Sequence, residues 1–276
     1  MGLSIILLAA GEGKRMKTDL PKPLIKLGDI PMVQHSLNTS MKLNPDRLIL
    51  VTGYKKDEVK KYVLAENSGD FIFCEQKERL GTGHAVKQAL PYLPENGKTL
   101  VLYADVPLVS LGTLKKLIRS CMRKKMSILT ADIDDPSGYG RIIRDKNDNP
   151  TLIREQADAT KAEKSIKEIF SGIMVIENKH LKKGVKGLVR SNVKGEYYLT
   201  DLVEFSSLRK HSVGTVKTDV REVLGANNKK ELTELYQSMT KLNLNDAAKK
   251  GVFFKDPTSC FIAVSYTHLT LPTNRE

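Results

Sequence analysis

"IILLAAGEGKRM", residues 5–16, runs six apolar residues into two glycines and then a Lys-Arg pair. A continuous apolar run that short, closed by glycine, reads as a strand buried on both faces. A strand delivering its carboxyl end to a glycine loop just before a helix sits where open α/β sheets take their ligands. Gly11 and Gly13 carry no Cβ, so backbone N–H groups there can approach a phosphate closely. A plain structural turn is the alternative. Two familiar phosphate signatures fail: the dinucleotide fingerprint wants a third glycine where Met16 stands, and the P-loop wants Ser or Thr where Arg15 follows Lys14.

Working outward, further runs rich in Ile, Leu and Val at 47–52, 99–104 and 127–133 join 3–9 as buried strands. Helical patterns at 31–43, 55–65, 83–93 and 110–125 lie between them. Strands alternating with helices of that length predict an α/β fold: a Rossmann-like, mostly parallel sheet with helices on both faces. From about residue 136 the rhythm shortens to "GRIIRD", "TLIREQADA" and "SGIMVI", which predicts an added sheet region closing over the first half. A helix over 197–210, a strand near 213–217 and a polar helix over about 228–250 follow.

Composition excludes several classes. With 40% hydrophobic and 28% charged residues the chain is globular, because disorder requires fewer apolar residues. No tract approaches a membrane span, and residues 3–10 lack the basic flank of a signal peptide. The three cysteines, Cys74, Cys121 and Cys260, match no metal spacing, which fits a reducing cytoplasm. The net charge of +13 admits a polyanionic partner, but "KKDEVKK" and "KKLIRSCMRKK" also read as solvated helix faces. No zinc finger, RNA-binding signature or Trp supports nucleic acid.

Two charged residues strengthen the opening motif. In "DLPKPLIKL" the prolines at 21 and 23 flank Lys22, and the second biases it towards an extended conformation, suited to reaching a fixed anion. "LYADVPL" places Asp105 at the carboxyl edge of the strand at 99–104, where Mg²⁺ is held by one or two carboxylates together with phosphate oxygens. Asp105 as a turn or helix-cap residue is the structural alternative. Glycine loop, lysine and carboxylate together make a nucleotide-and-metal hypothesis.

The segments "LAAGEGKRM", "PKPL", "EQKERLGTGHA", "LYADVPL", "DDPSGYGRI", "KGEYYLTD" and "GANN" occur in this order, and over roughly residues 1–264 the chain resembles bacterial N-acetylglucosamine-1-phosphate uridyltransferases. It is most similar to the N-terminal half of the bifunctional members, which also acetylate glucosamine-1-phosphate. The resemblance implies a nucleotidyltransferase fold of the glycosyltransferase A-like kind and Mg²⁺-dependent transfer of uridylyl from UTP to N-acetylglucosamine-1-phosphate. It implies that Leu8, Ala9, Ala10 and Gly11 hold the uracil and ribose side, that Arg15 and Lys22 face the triphosphate as catalytic residues, and that Gln76, Gly81 and Thr82 read uracil. Tyr103 and Asp105 border sugar and metal, with Asp105 and Asn227 as the Mg²⁺ ligands. Gly140, Glu155, Tyr198 and Thr200 line the amino-sugar phosphate pocket. Several carry structural readings too: turn glycines at 81 and 140, a core aromatic at 198, an exposed strand residue at 155, a helix cap at 227. His84 is read as structural.

The sequence departs from this pattern at two site positions. Arg79 stands where the family often has Gln beside the uracil loop, and Phe170 stands where it has an Asn contacting the sugar. Phe170 is expected to stack on the sugar and relax its selectivity, or to turn into the core with Ser171 taking over the contact. The expected organisation is a nucleotidyltransferase domain over 1–226, a helical linker over 227–250, a truncated start of a left-handed β-helix over 251–264, and a tail over 265–276 that is not native. A trimer is not expected without the β-helix. Another sugar-1-phosphate nucleotidyltransferase, a non-catalytic nucleotide sensor and a basic nucleic-acid binder remain alternatives.

Overall fold

The computed structural model describes residues 2–257, 259 and 260. In chain order it comprises β1 (Leu3–Ala9), a ribbon of β2 (Lys26–Leu27) and β3 (Ile30–Pro31), α1 (Met32–Met41), β4 (Arg47–Thr52), α2 (Lys56–Glu66), β5 (Phe71–Glu75), α3 (Thr82–Ala89), β6 (Lys98–Tyr103) and α4 (Leu111–Ser120). There follow β7 (Met126–Asp132), β8 (Gly140–Arg144), β9 (Pro150–Arg154), α5 (Lys161–Lys164), β10 (Glu168–Glu177), α6 (Asn178–Lys186), α7 (Asp201–Ser207), β11 (Val213–Lys217) and α8 (Lys229–Lys249).

The main sheet runs β11-β7-β10-β6-β1-β4-β5. β1 pairs in parallel with both β4 and β6, and β4 with β5, while β10 alone runs antiparallel, to β6 and β7. The strands alternate their apolar side chains between two cores, as period two requires. Ile6 and Leu8 of β1 face the core built with Val86 of α3, Leu181 of α6 and Leu202 of α7. Ile5 and Leu7 face the core built with Leu37 of α1, Val59 of α2 and Leu117 of α4. The expected mostly parallel sheet, covered on both faces, is what forms. A third cluster joins Leu235 and Met239 of α8 to Met16, Ile25, Leu27 and Met32, so α8 packs on the segment that carries the glycine loop and the β2–β3 ribbon.

The elements end where local chemistry stops them. α3 closes at Ala89, four residues short of the expected 93, because Pro91 lies in the following 3-10 turn Leu90–Tyr92. α4 stops at Ser120 rather than 125, its last carbonyls capped by the Cys121 N–H. The helix expected over 197–210 is confined to Asp201–Ser207. The stretch "TLIREQADA" is a strand only to Arg154, after which Asp158 N–H bonds Glu155 O at 3.0 Å in a turn.

β10 decides where a cleft can open. On one side it pairs with β7 along most of its length; on the other, Ile169 and Phe170 pair with β8, while Met174 to Glu177 pair with β6. Between them the register shifts at a bulge held by Ser171, whose Oγ donates to Leu129 O at 2.8 Å and accepts from Ile173 N–H at 3.1 Å. The sheet therefore forks at the bulge, with the β8–β9 hairpin on one prong and β6 on the other.

Candidate active site

The carboxyl ends of β1 and β6 lie side by side, Leu8 opposite Tyr103, with Ala104 N–H donating to Leu8 O at 3.0 Å. There a cleft of about 260 Å³ is lined by Leu8, Ala9, Ala10, Gly11, Lys22, Gln76, Gly81, Thr82, Tyr103 and Asp105, all expected site residues. It also takes in Arg79 and Glu196.

Lys22 is the centre of the charged end. It opens a 3-10 turn, Lys22–Leu24, which corrects the extended conformation expected for it: Leu24 N–H donates to Pro21 O at 2.8 Å and closes the turn. The residue is only 9% exposed. The glycine loop folds directly over its stem. Gly13 has φ 76°, and a Cβ there would lie 3.0 Å from Lys22 Cβ, so any other residue is both strained and crowded. Lys22 Nζ donates to Asp105 Oδ2 in an ion pair and to Asn227 Oδ1 at 2.8 Å. Ala226 N–H to Asp105 O, 3.3 Å, docks "GANN" on the strand end and brings Asn227 there. The Asn227 amide is oriented by Glu231, whose Oε2 accepts from Asn227 N–H at 2.8 Å and from Nδ2 at 3.0 Å, leaving Oδ1 towards Lys22. The helix cap itself is Asn228, accepting from Glu231 N–H at 2.9 Å. Asn227 is thus free of the capping role its position suggested.

Asp105 Oδ2 and Asn227 Oδ1 both reach one ammonium, so they converge on one small volume. One carboxylate and one amide oxygen there suit a hard cation such as Mg²⁺, which completes its shell from substrate oxygens and water. Among the described residues no cluster of three or more acidic, His or Cys side chains stands ready to hold a metal.

The opposite lip is built by two segments far apart in sequence. Gly83 N–H donates to Tyr197 O and Tyr197 N–H to Leu80 O, each at 2.8 Å, and Leu199 N–H donates to Thr82 Oγ1 at 3.2 Å. Gly81 has φ 99°, and a Cβ would lie 2.6 Å from Tyr197 O. It is more than a turn glycine. Gln76, 6% exposed, donates from Nε2 to Gly81 O at 3.0 Å and meets His84 Nδ1 at 3.3 Å, which leaves its carbonyl oxygen for another donor. His84 thereby supports Gln76, a structural role as expected. Arg79 ion-pairs with Glu12 of the glycine loop and so ties the two lips together. Glu12 is a contributor that sequence reading passed over; nothing in its neighbours marks it.

Beyond the bulge lies a second group. Thr200 Oγ1 donates to Glu155 Oε1 at 2.9 Å, and Gly140, opposite Phe170, leaves no room for a Cβ beside Ile153 Cγ2, 2.7 Å away. The Tyr198 hydroxyl and Asp158 Oδ2 are buried beside each other, with no other hydrogen-bond partner among the described residues. Burial, and then the neighbouring Asp158, push the Tyr198 phenol well above its ordinary range. Burial likewise raises the Glu155 carboxyl, against the bond from Thr200. Burial also raises the Tyr103 phenol, which lies in the cleft between this group and Lys22. Phe170 takes the second of its two expected placements and does not stack in the cleft: it is 6% exposed and belongs to the apolar core with Ile142, Ile153 and Met174. Ser171 does not take over a sugar contact either, since its hydroxyl is spent on the bulge. Arg15 is exposed on the 3-10 turn Lys14–Met16 and stands outside the cleft lining.

A β1 strand ending in a glycine loop and a lysine bridging carboxylate and amide place this cleft at the carboxyl edge of the sheet, where α/β folds of the nucleotide-binding class take their ligands. The chain belongs to the MobA-like NTP transferase domain family, which matches residues 5–171. It is 44% identical over 258 residues to the bifunctional protein GlmU of Cupriavidus taiwanensis, covering 92% of this chain and 56% of that protein. It is 37% identical to the bifunctional protein GlmU of Idiomarina loihiensis, covering 93% and 56%. The chain thus spans little more than half the length of these relatives. Among solved structures, a UDP-glucose pyrophosphorylase complexed with UDP-glucose superposes with a TM-score of 0.72 at 17% identity, covering 88% of this chain and all of that one. HddC from Yersinia pseudotuberculosis complexed with GMP-PN superposes with a TM-score of 0.61 at 22% identity, covering 87% and all of it. These two share the fold. No helix among the described residues is long and apolar enough to cross a membrane.

Proposed function

We propose that this chain transfers uridylyl from UTP to N-acetylglucosamine-1-phosphate, giving UDP-N-acetylglucosamine and pyrophosphate, with Mg²⁺ held by Asp105 and Asn227. The observation that carries the reading is Lys22 Nζ bonded to both oxygens at the mouth of the glycine loop. The motif order and the GlmU relatives support the choice of substrates.

The uracil edge offers acceptor, donor and acceptor. Gln76 presents a free carbonyl oxygen for the N3–H, and the Gly81–Thr82 backbone lies beside it. In the sugar pocket the buried Tyr198 hydroxyl with its neighbour Asp158, and the Glu155 carboxyl, suit a ligand rich in hydroxyls and an amide. A phosphate oxygen of the sugar attacks the α-phosphorus in line; the new O–P bond forms as the bond to the β-phosphate oxygen breaks. No covalent intermediate with the protein is needed, so its task is positioning and charge neutralisation. Lys22 neutralises charge growing around the α-phosphate, and Arg15, exposed and on a short turn, closes over the leaving phosphates. Bound Mg²⁺ supplies Lewis-acid stabilisation of the phosphate oxygens.

Pyrophosphate release with the four nucleoside triphosphates and a panel of sugar-1-phosphates tests the reading. UTP with N-acetylglucosamine-1-phosphate is expected to give the highest kcat/KM; a different preferred pair assigns a different nucleotidyltransferase. Asp105→Ala and Lys22→Ala should each lose on the order of 10² or more in turnover, the cost of removing preorganised charge. Wild-type rates in both variants at limiting Mg²⁺ refute the assignment.

A further inference from the structure

We propose that the Lys22 ammonium is a place-holder for the catalytic cation, so that the cation enters this site only as its nucleoside triphosphate chelate. The inference rests on the reading above, and it concerns what form the substrate takes. Lys22 Nζ bonds Asp105 Oδ2 and Asn227 Oδ1, the same two oxygens assigned to the cation. An ammonium and a divalent ion cannot share them, because like charges at contact distance repel. One must leave for the other to enter.

The lysine is poorly placed to leave alone. Its stem is wrapped by Gly11 and Gly13, whose Cβ positions lie 3.5 Å and 3.0 Å from it, and the residue is 9% exposed. Displaced by a bare cation, it would be a buried charge without its partner, which is costly. Another carboxylate of the cleft mouth, Glu12, is already engaged by Arg79 and Lys14. A polyphosphate is the anion that can receive the ammonium, and it arrives with the cation in one species. The chelate therefore satisfies both exchanges at once: the metal takes Asp105 and Asn227 while Lys22 turns to phosphate.

Mn²⁺ titrations followed by electron paramagnetic resonance test this without turnover, on wild type and Lys22→Met, with and without UTP. Lys22→Met keeps the stem and removes the charge. Without nucleotide the variant is expected to bind Mn²⁺ about tenfold or more tighter than wild type, since the competing charge is gone. Asp105→Asn added to Lys22→Met should abolish that binding. With UTP, wild type should gain Mn²⁺ affinity and the difference should shrink or reverse. Lys22→Gln repeats the test should the methionine variant unfold by circular dichroism. Wild type binding Mn²⁺ without nucleotide as tightly as the charge-free variants overturns the proposal, as does absence of Mn²⁺ binding in all of them. Failure of pyrophosphate release with UTP would count against the uridylyltransferase reading and leave the Mn²⁺ comparison interpretable.

Discussion

At Gly81 two demands fall on one residue, a positive φ of 99° and a Cβ site 2.6 Å from Tyr197 O. Gly138 has a comparable φ of 86° but nothing within 4 Å. Comparing alanine at both positions separates strain from collision. Gly138→Ala should cost about 1 kcal/mol of stability, the ordinary penalty of a left-handed backbone. Gly81→Ala should cost about 1–3 kcal/mol more, because the neighbour is backbone and cannot rotate away. It should also raise the KM for UTP, since the loop that holds Gln76 must shift. Chemical denaturation midpoints and UTP kinetics check both; equal costs at the two sites would remove the collision argument. The residue scale also shows what sequence could not reveal. Lys22 between prolines and Asp105 at a strand end were legible as local patterns. The docking of Gly81 and Gly83 on Tyr197 was not, because it joins segments remote in the chain whose only local mark is a pair of glycines. Phe170 was left open between sugar and core for a related reason: a residue's place in a motif says nothing about which way a bulged strand turns its side chain.

At the scale of the element, α8 carries a consequence for the site. Its first-turn Glu231 bonds both Asn227 N–H and Nδ2, and its N–H takes the Asn228 cap. If Asn227 holds Mg²⁺ as proposed, Glu231→Ala should loosen its amide and raise the Mg²⁺ concentration for half-maximal turnover by about tenfold, as expected for a residue that orients a metal ligand. Loss of the N-terminal interactions should cost about 1 kcal/mol. An unchanged Mg²⁺ requirement with lowered stability would mean that Glu231 serves the helix alone. Most elements could be placed from apolar rhythm, but β5 and α6 could not. β5 is a five-residue edge strand whose residues are largely half-buried, so its alternation is faint. The buried face of α6 consists of Asn178, His180, Leu181, Gly184 and Val185, of which only two are apolar beyond doubt in sequence. Asn178 earns its place there through hydrogen bonds to Thr99, Pro94 and Asn96, partners invisible to periodicity.

For the whole molecule, two titrating groups, the buried His180 and the half-buried Asp201, set opposite slopes of stability against pH. His180, in contact with Ser206 Oγ at 2.7 Å, is lowered to about 4, chiefly by burial and then by His211. Between that value and the ordinary 6.5 the unfolded chain binds a proton that the native protein does not, so stability is lost as pH falls through this window. Asp201 is raised from 3.8 to about 6, again by burial first and then by Glu204. There the native protein holds the extra proton, so stability is lost as pH rises towards 6. The two contributions oppose each other between about pH 4 and 6. His180→Gln should therefore make urea midpoints rise less steeply with pH in that window, and Asp201→Asn should make them rise more steeply, each by at most about 1.4 kcal/mol per pH unit. Parallel pH profiles for wild type and both variants would show that neither group titrates as described.

The fork in the sheet at Ser171–Ile173 has a mechanical meaning as well. β6, whose carboxyl end leads into Asp105, and the β8–β9 hairpin are fastened to the same strand, β10, on either side of one bulge. On the proposed reading, the separation of the two substrates would be measured out along a single covalent rod, at about 3.3 Å per residue, instead of being left to loops. Such a ruler would fix how far a sugar phosphate must reach to meet the nucleotide. Adding or deleting one residue in the bulge shifts the hairpin by one register and turns its inward side chains outward. Donor and acceptor would then be gauged to a different length of molecule.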